Sequence, residues 1–337
     1  MAGAAAIAAQ GAEPAKPTRA QAEWMELGYG MFLHFGPNTV AGVGWGDGKF
    51  PAADFRVKKL DCAQWAGVAA EAGMKYAVLT TKHHDGFCLW PSRLTKYCTS
   101  ASPVGDVVRA YVDAFRREGL KVGLYYSLWD RNQSIYDEDA AYAEYMRRQV
   151  EELLTGYGPI VELWFDGAWD KDHPTKTWPY DPRWEKDPNP GLGHGERWEW
   201  KALYQHIHKL QPDCLVVNNS SSDRPGGLRY PPVDLRTAEH FDFIYKEKLY
   251  EPVTDPAVRW PDGTSSYLPL EYCTSLNPSW FWTGKEYSHP SAETIAAWRR
   301  RAKASKGNLL LNIGPSHEGN IPEYHRKFLT DARRMAG

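Results

Sequence analysis

Acidic, histidine and tyrosine side chains stand at the ends of apolar runs where a buried strand would otherwise carry only core residues. His34 follows GMFL, and His83, His84 and Asp85 follow YAVLTTK. Tyr125, Tyr126 and Asp130 lie within or just after VGLYYSL, and Trp164 and Asp166 close IVELWFD. Further along, Asn218 and Asn219 end CLVVNN, Glu239 ends RTAE, Glu271 stands early in LEYCTSL, and Asn312 falls near the end of LLLNI. Burying so many ionisable groups is costly unless they are paired or used. Gathered at one set of strand ends, they predict a polar site with aromatic walls.

Three chemistries compete for such a set. Histidines near acids can ligate a metal, but His83 and His84 are adjacent, and on a strand they would point to opposite faces. No HExxH spacing occurs, and no CxxC pair suggests a structural zinc. A nucleophilic serine would need a GxSxG elbow, which is also missing. What remains is carboxylate chemistry with histidines as hydrogen-bond donors. Glycoside hydrolysis fits that description, because it needs one carboxylate as nucleophile and a second carboxyl as acid/base. Two alternatives stay open on the residues alone: a metal-dependent barrel hydrolase, and a sugar-binding barrel without catalysis.

The elements that must position these residues alternate along the chain. Apolar runs predict strands over Gly30–Gly36, Tyr76–His83, Val122–Leu128, Ile160–Asp166, Cys214–Asn218, Arg236–Phe241, Leu270–Leu276 and Leu309–Ile313. Helical spacing predicts helices over Asp61–Gly73, Val104–Gly119, Glu138–Gly156, Trp198–Leu210, Ser291–Lys306 and Pro322–Met335, the first two closed by glycines. Eight strands interleaved with helices predict an α/β fold, a single irregular (β/α)8 barrel. A doubly wound open sheet is the rival, but no GxGxxG follows the first strand. Residues 168–197, 220–235 and 246–266 are rich in Pro, Gly or Trp and lack periodicity, as expected of loops that build a substrate site at the C-terminal ends of barrel strands.

Composition narrows the partners. The 337 residues suit one barrel domain, and a net charge of −2 gives no electrostatic case for nucleic acid or an anionic membrane surface. Fifteen Trp and nineteen Tyr exceed what core packing usually needs and suit stacking on sugar rings. The five cysteines, Cys62, Cys88, Cys98, Cys214 and Cys273, are too few and too scattered for a disulfide framework. No stretch approaches the ~20 apolar residues of a membrane span. Residues 1–17 are Ala-rich and read as a trimmed leader or an appended cloning scar, so the catalytic domain is placed at 18–337. From that start a periplasmic or secreted location is expected, with a cytoplasmic one also open.

The motifs GMFLHFG, YAVLTTKHHDGFCLWPS, GLYYSLWD, LWFDG and NLLLNIGP, in this order, resemble the α-L-fucosidases of glycoside hydrolase family 29. The resemblance runs from about Met31 to Pro322. It implies an irregular (β/α)8 barrel, retention of anomeric configuration, no cofactor and no metal. The implied partner is a fucosylated oligosaccharide or glycoconjugate. Many members carry a C-terminal β-sandwich, which is not expected here. Motif by motif, the resemblance makes Asp166 the nucleophile and makes His34, His83 and His84 ligands of fucose hydroxyls. Tyr126 matches the tyrosine beside the nucleophile and Trp164 a sugar-contacting tryptophan. Trp45 matches a binding-loop tryptophan, and Trp280 or Trp282 the aromatic against the fucose methyl. For the acid/base, Glu239 in RTAEH is preferred and Glu271 in LEYCTS is the alternative. Arg224, or else Arg236, matches an arginine that supports the site. Asp85 is expected to hold its neighbours by hydrogen bonds rather than to react.

Overall fold

The computed structural model describes residues 15–168, 195–219, 226–228, 231–239, 255–260, 264–277, 279–284 and 290–336. Eight parallel strands form one sheet: β1 (Tyr29–Leu33), β2 (Tyr76–Lys82), β3 (Lys121–Ser127), β4 (Glu162–Asp166), β5 (Leu215–Asn218), β6 (Arg236–Glu239), β9 (Leu270–Ser275) and β10 (Asn308–Asn312). Their order, β5-β4-β3-β2-β1-β10-β9-β6, is the chain order rolled into a ring. The ring nearly closes between β5 and β6 through a single parallel bridge, Val217 to Leu235. There the Asp234 carboxylate accepts the Val216 N–H at 2.8 Å, taking a donor that the short ladder would otherwise leave to the barrel seam. The fold is the α/β barrel expected from the alternation of elements.

Parallel strands covered on both faces read as near-continuous apolar runs, and β1, β2, β9 and β10 are buried at every position. The outer layer is made of α3 (Cys62–Glu71), α4 (Val107–Arg117), α5 (Asp139–Gly156), α6 (Trp200–Leu210), α7 (Ala292–Ala304) and α8 (Glu323–Ala336). Several begin on side-chain caps: Asp61 accepts from Gln64 N–H, Asp106 from Arg109 N–H and Ser291 from Thr294 N–H. The six predicted helices and eight predicted strands all appear, with ends shifted by up to three residues where described. The predicted sixth strand is seen as far as Glu239, and residues 240–241 lie outside the described residues.

Three elements were not predicted. Helix α1 (Arg19–Met25) is short and opens on a capping box between Thr18 and Gln21. Its Trp24 seals the base of the barrel and is fully buried. Helix α2 (Pro37–Ala41) follows β1 directly, and a hairpin of β7 (Ala257–Arg259) and β8 (Ser265–Tyr267) lies inside the stretch read as loop. All three are too short to show a period.

Inside the barrel, side chains stack in layers because alternate residues face inward. The lowest layer includes Tyr76, Glu162, Glu271 and Asn308. The middle layer includes Phe32, Val78, Tyr125, Trp164, Val217, Cys273 and Leu310, a buried cluster separate from the one beneath the helices. The upper layer is polar: Ser127, Asp166, Asn219, Glu239, Ser275 and Asn312. Among the described residues no helix is long and apolar enough to cross a membrane.

Candidate active site

A cavity sits above the middle layer, at the C-terminal ends of the strands. Phe32 and Trp164 form its floor, His34, His83, His84, Trp45 and Trp280 its walls, and Asp166 and Glu239 its two carboxyls. Strand alternation explains the choice: β4 turns Trp164 and Asp166 inward together, and β6 brings Glu239 to the same level.

Asp166 accepts hydrogen bonds from three sides. Tyr125 O–H donates to its Oδ2 at 2.7 Å, Gly167 N–H donates to Oδ1 at 2.8 Å, and Asn219 Nδ2 donates to Oδ1 at 3.2 Å. His84 Nε2 stands 3.6 Å from Oδ2. Asn219 also donates from the same nitrogen to Glu239 Oε2 at 2.5 Å. Its amide cannot be turned round at no cost, because Thr237 O–H donates to its Oδ1 at 3.0 Å. One amide nitrogen therefore joins both carboxyls. The two oxygens it touches lie no further apart than these contacts end to end, about 5.7 Å. Carboxyl gaps of ~5–5.5 Å serve retaining glycosidases and gaps of ~6.5–9.5 Å inverting ones.

Burial raises the pKa of both acids. For Asp166 the hydrogen bonds from Tyr125, Gly167 and Asn219 oppose that rise. Glu239 is pushed up to about 8, first by burial and then by the negative charge of Asp166, with hydrogen bonds from Asn219 and Trp280 pulling the other way.

His83 and His84 are neutral. Burial holds His83 well below the ordinary 6.5, helped by His84 and His34, and takes His84 down to about 3, helped by His34, Arg131 and Lys82. Their tautomers follow from their partners. Asn312 Nδ2 donates to the Trp280 carbonyl at 2.8 Å, so its Oδ1 faces His34 Nδ1 at 2.8 Å and accepts from it. Ser127 O–H donates to the Trp129 carbonyl at 2.7 Å, so its oxygen accepts from His84 Nδ1 at 2.7 Å. In both rings Nε2 is left as an acceptor. With Nδ1 donating within the protein, neutral rings at His34 and His84 present Nε2 as an acceptor, not as the donor expected from the sequence. His83 and His84 both face the cavity, with ring centroids 4.0 Å apart. The expectation of opposite faces fails because β2 ends at Lys82 after a register shift, and a turn closed by Gly86 N–H to the His83 carbonyl carries both rings inward.

Other expectations divide. Tyr126 is not the tyrosine beside Asp166. It faces out of the barrel, donating to Gln149 Oε1 at 2.7 Å next to the buried Lys82–Asp130 pair, and Tyr125 takes the inner position. The tandem YY hid which one faced inward until strand register fixed it. Of the two tryptophans in SWFW, Trp280 lines the cavity, 5.0 Å from His34, whereas Trp282 packs on His317 outside it. Trp45 keeps 40% of its surface exposed and meets His84 edge-on at the rim. Glu271 lies in the lowest layer, under Trp164 and outside the cavity. Arg236 is buried and donates to the carbonyls of Leu268 and Gly226, fastening the loop at the base of β6 rather than reaching the site. Arg224 lies outside the described residues. Asp85 is buried, accepts from Phe87 N–H at 3.3 Å and is raised by burial to about 7. Asn219 was noticed only as a polar strand end, and its bridging role needs the two acids in place.

These raised carboxyls give a stability prediction. Glu239 near 8, Asp85 near 7 and Glu271 near 7 all lie above their unfolded values. Their contribution is complete below the unfolded values of about 4, shrinks as pH rises above them, and is gone once pH passes about 7 to 8. His83 and His84 contribute above 6.5 and lose that contribution as pH falls. The melting temperature measured by calorimetry should therefore fall between about pH 6.5 and 8 and level off above that, and a value that climbs between about 6.5 and 8 would contradict the burial of these acids.

Comparison with known proteins gives a consistent picture. The profile of the family described as alpha-L-fucosidase matches residues 49–334. The chain is 30% identical over 330 residues to alpha-L-fucosidase 1 of Arabidopsis thaliana, covering 95% of this chain and 60% of that protein. Among solved structures it is similar to a glycoside hydrolase 29 family member from an unknown rumen bacterium, with a TM-score of 0.76, 31% identity, and coverage of 96% of this chain and 57% of that one. It is also similar to alpha-L-fucosidase isoenzyme 1 from Paenibacillus thiaminolyticus, with a TM-score of 0.69, 28% identity, and coverage of 94% and 75%. The chain thus spans about three-fifths of the length of the first two of these relatives. A barrel of this topology, two acids joined across its mouth and a family profile that covers most of the sequence agree: the chain belongs to the α-L-fucosidase family, glycoside hydrolase family 29.

Proposed function

We propose that this chain is a retaining exo-α-L-fucosidase that removes terminal α-L-fucose from glycans, with Asp166 as nucleophile and Glu239 as acid/base. The single observation that carries the reading is the Asn219 amide joining the two carboxyls, which keeps them within the distance of direct displacement. Asp166 attacks C1 of the fucose as the bond from C1 to the leaving oxygen breaks, and Glu239 gives its proton to that oxygen. Water then adds to C1, Glu239 takes its proton, and the ester to Asp166 breaks. The electrostatics support this change of task. Part of what holds the proton on Glu239 is the charge of Asp166, and esterification removes that charge, so Glu239 becomes the stronger acid and is ready to act as base.

The acceptor nitrogens of His34 and His84, together with His83, suit sugar hydroxyls, and Trp164 and Trp280 supply apolar faces for the ring and its methyl. A cavity closed below by Phe32 and Trp164 suits a terminal residue rather than an internal one. The reading is tested by following an aryl α-L-fucoside by proton NMR. The first-formed product should be α-fucose, before mutarotation; β-fucose appearing first would overturn retention.

The correction of the tyrosine gives its own test. Tyr125→Phe removes a hydrogen bond to a charged group, so kcat should fall by about 10- to 100-fold with little change in stability. Tyr126→Phe should do the reverse, lowering the melting temperature through the Lys82 network while kcat holds. Steady-state kinetics and calorimetry on both variants separate the two.

A further inference from the structure

Beneath the cavity floor the barrel holds two buried carboxyls that the reaction above does not use. Glu162 is the first residue of β4 and Glu271 the second of β9, and neither has any solvent exposure. Glycines make room for this layer. A Cβ on Gly123 would come within 2.9 Å of Glu162 Cγ, and one on Gly30 within 2.5 Å of the Tyr76 ring. Trp24 Nε1 donates to Glu162 Oε2 at 2.5 Å, while Glu162 Oε1 has no N–H or hydroxyl donor. Tyr76 O–H donates to Glu271 Oε1 at 2.6 Å, and Trp164 Nε1 donates to Glu271 Oε2 at 2.9 Å. The two carboxyls are near enough to act on each other's proton affinity, and none of the groups acting on either is a cation.

A hydrogen bond between two carboxyls needs a proton on one of them. Glu271 already accepts from two fixed donors and Glu162 from one, so the charge belongs on Glu271 and the proton on Glu162. The electrostatics agree: burial raises both, but Tyr76, Trp164 and Glu162 draw Glu271 back to about 7, while Glu162 stays well above its ordinary value. From this pair a line of contacts runs upward. The Trp164 indole, tied below to Glu271, stacks on Tyr125 with centroids 5.5 Å apart and planes at 18°, and Tyr125 donates to Asp166.

We propose that Glu162 and Glu271 share one proton and that Glu271 is a positioning residue for the nucleophile, acting through Trp164 and Tyr125. This rests on Asp166 being the nucleophile. The test compares kcat on two aryl α-L-fucosides, one with a good and one with a poor leaving group, for E271Q, E162Q, E162M and, as a control, E239Q. In E271Q the amide must turn its N–H groups toward at least one fixed donor, so kcat should fall by about tenfold or more on both substrates alike. E162Q still donates to Glu271 and still accepts from Trp24, so it should keep kcat within about threefold, whereas E162M lacks the donor and should fall with E271Q. A loss in E271Q confined to the poor leaving group would make Glu271 the acid/base and overturn this inference together with the role given to Glu239. Wild-type kcat in E271Q, beside a leaving-group-dependent loss in E239Q, would overturn this inference alone. If E271Q does not fold, the contrast at position 162 decides: equal kcat for E162Q and E162M overturns the shared proton, and rescue by glutamine supports it.

Discussion

Asp166→Gly should lower kcat/KM on an aryl α-L-fucoside by on the order of 10⁴-fold, the scale of losing a residue that forms the covalent bond. The fold should survive, because Asp166 is at the end of β4 with 17% of its side chain exposed, and its ladder bonds are made by the backbone. The loss has a chemical signature that a packing defect would not share. Removing the carboxylate leaves a gap beside C1 on the face from which it attacked, with Tyr125 and Asn219 still lining it. Azide can enter that gap and attack in place of the carboxylate. Since only one displacement then occurs, the product should be the azide of inverted configuration. Activity that azide does not restore, or a restored product with retained configuration, would remove Asp166 from the reaction. Asp166→Asn is a poorer choice, because its amide would keep part of the hydrogen-bond pattern and block the gap.

The second large effect is expected at Glu239, and its size should depend on the substrate. A general acid is worth about 10²- to 10⁴-fold when the leaving group needs a proton. Glu239→Gln should therefore lose activity in that range on a natural glycoside or a poor leaving group, and far less on a dinitrophenyl fucoside. The pH profile gives an independent reading. In the free enzyme Glu239 is held to about 8, so kcat/KM should be sustained below that pH and lost as pH rises through it. The acid limb follows Asp166, which must be ionised and whose value lies above the ordinary 3.8. Since the two acids interact, the limbs belong to the pair. In Glu239→Gln the alkaline limb should disappear, and the acid limb should stay in place, because Glu239 is already uncharged while Asp166 titrates. An alkaline limb unchanged in that variant would mean that a different group supplies the proton.

Much of this was written locally. The strands were legible because both faces of a parallel barrel are buried, which turns LLLN, VGLYY and LWF into uninterrupted apolar runs. The same fact exposed the site: a His, Asp or Glu at the end of such a run is out of place unless it faces a polar mouth. His34, His83, His84, Trp164, Asp166 and Glu239 all proved to line one cavity. Elements of fewer than two helical turns gave no periodic signal, so α1, with the Trp24 that closes the barrel base, went unread, as did the β7–β8 hairpin.

The sequence by itself determined the class of fold, the order of its strands and the inventory of reactive groups, because burial periodicity and residue type are properties of short segments. Only the tertiary structure decided between neighbours of the same kind. It turned Tyr125 inward and Tyr126 outward, set Trp280 at the cavity and Trp282 away from it, and placed Glu239 at the mouth and Glu271 under the floor. It also gave Asn219 its partners and the histidines their tautomers. The physical reason is common to all of these. Which face a strand residue takes, and at what height in the barrel it sits, depend on register against strands distant in sequence, and a one-residue change in register moves every side chain to the other side.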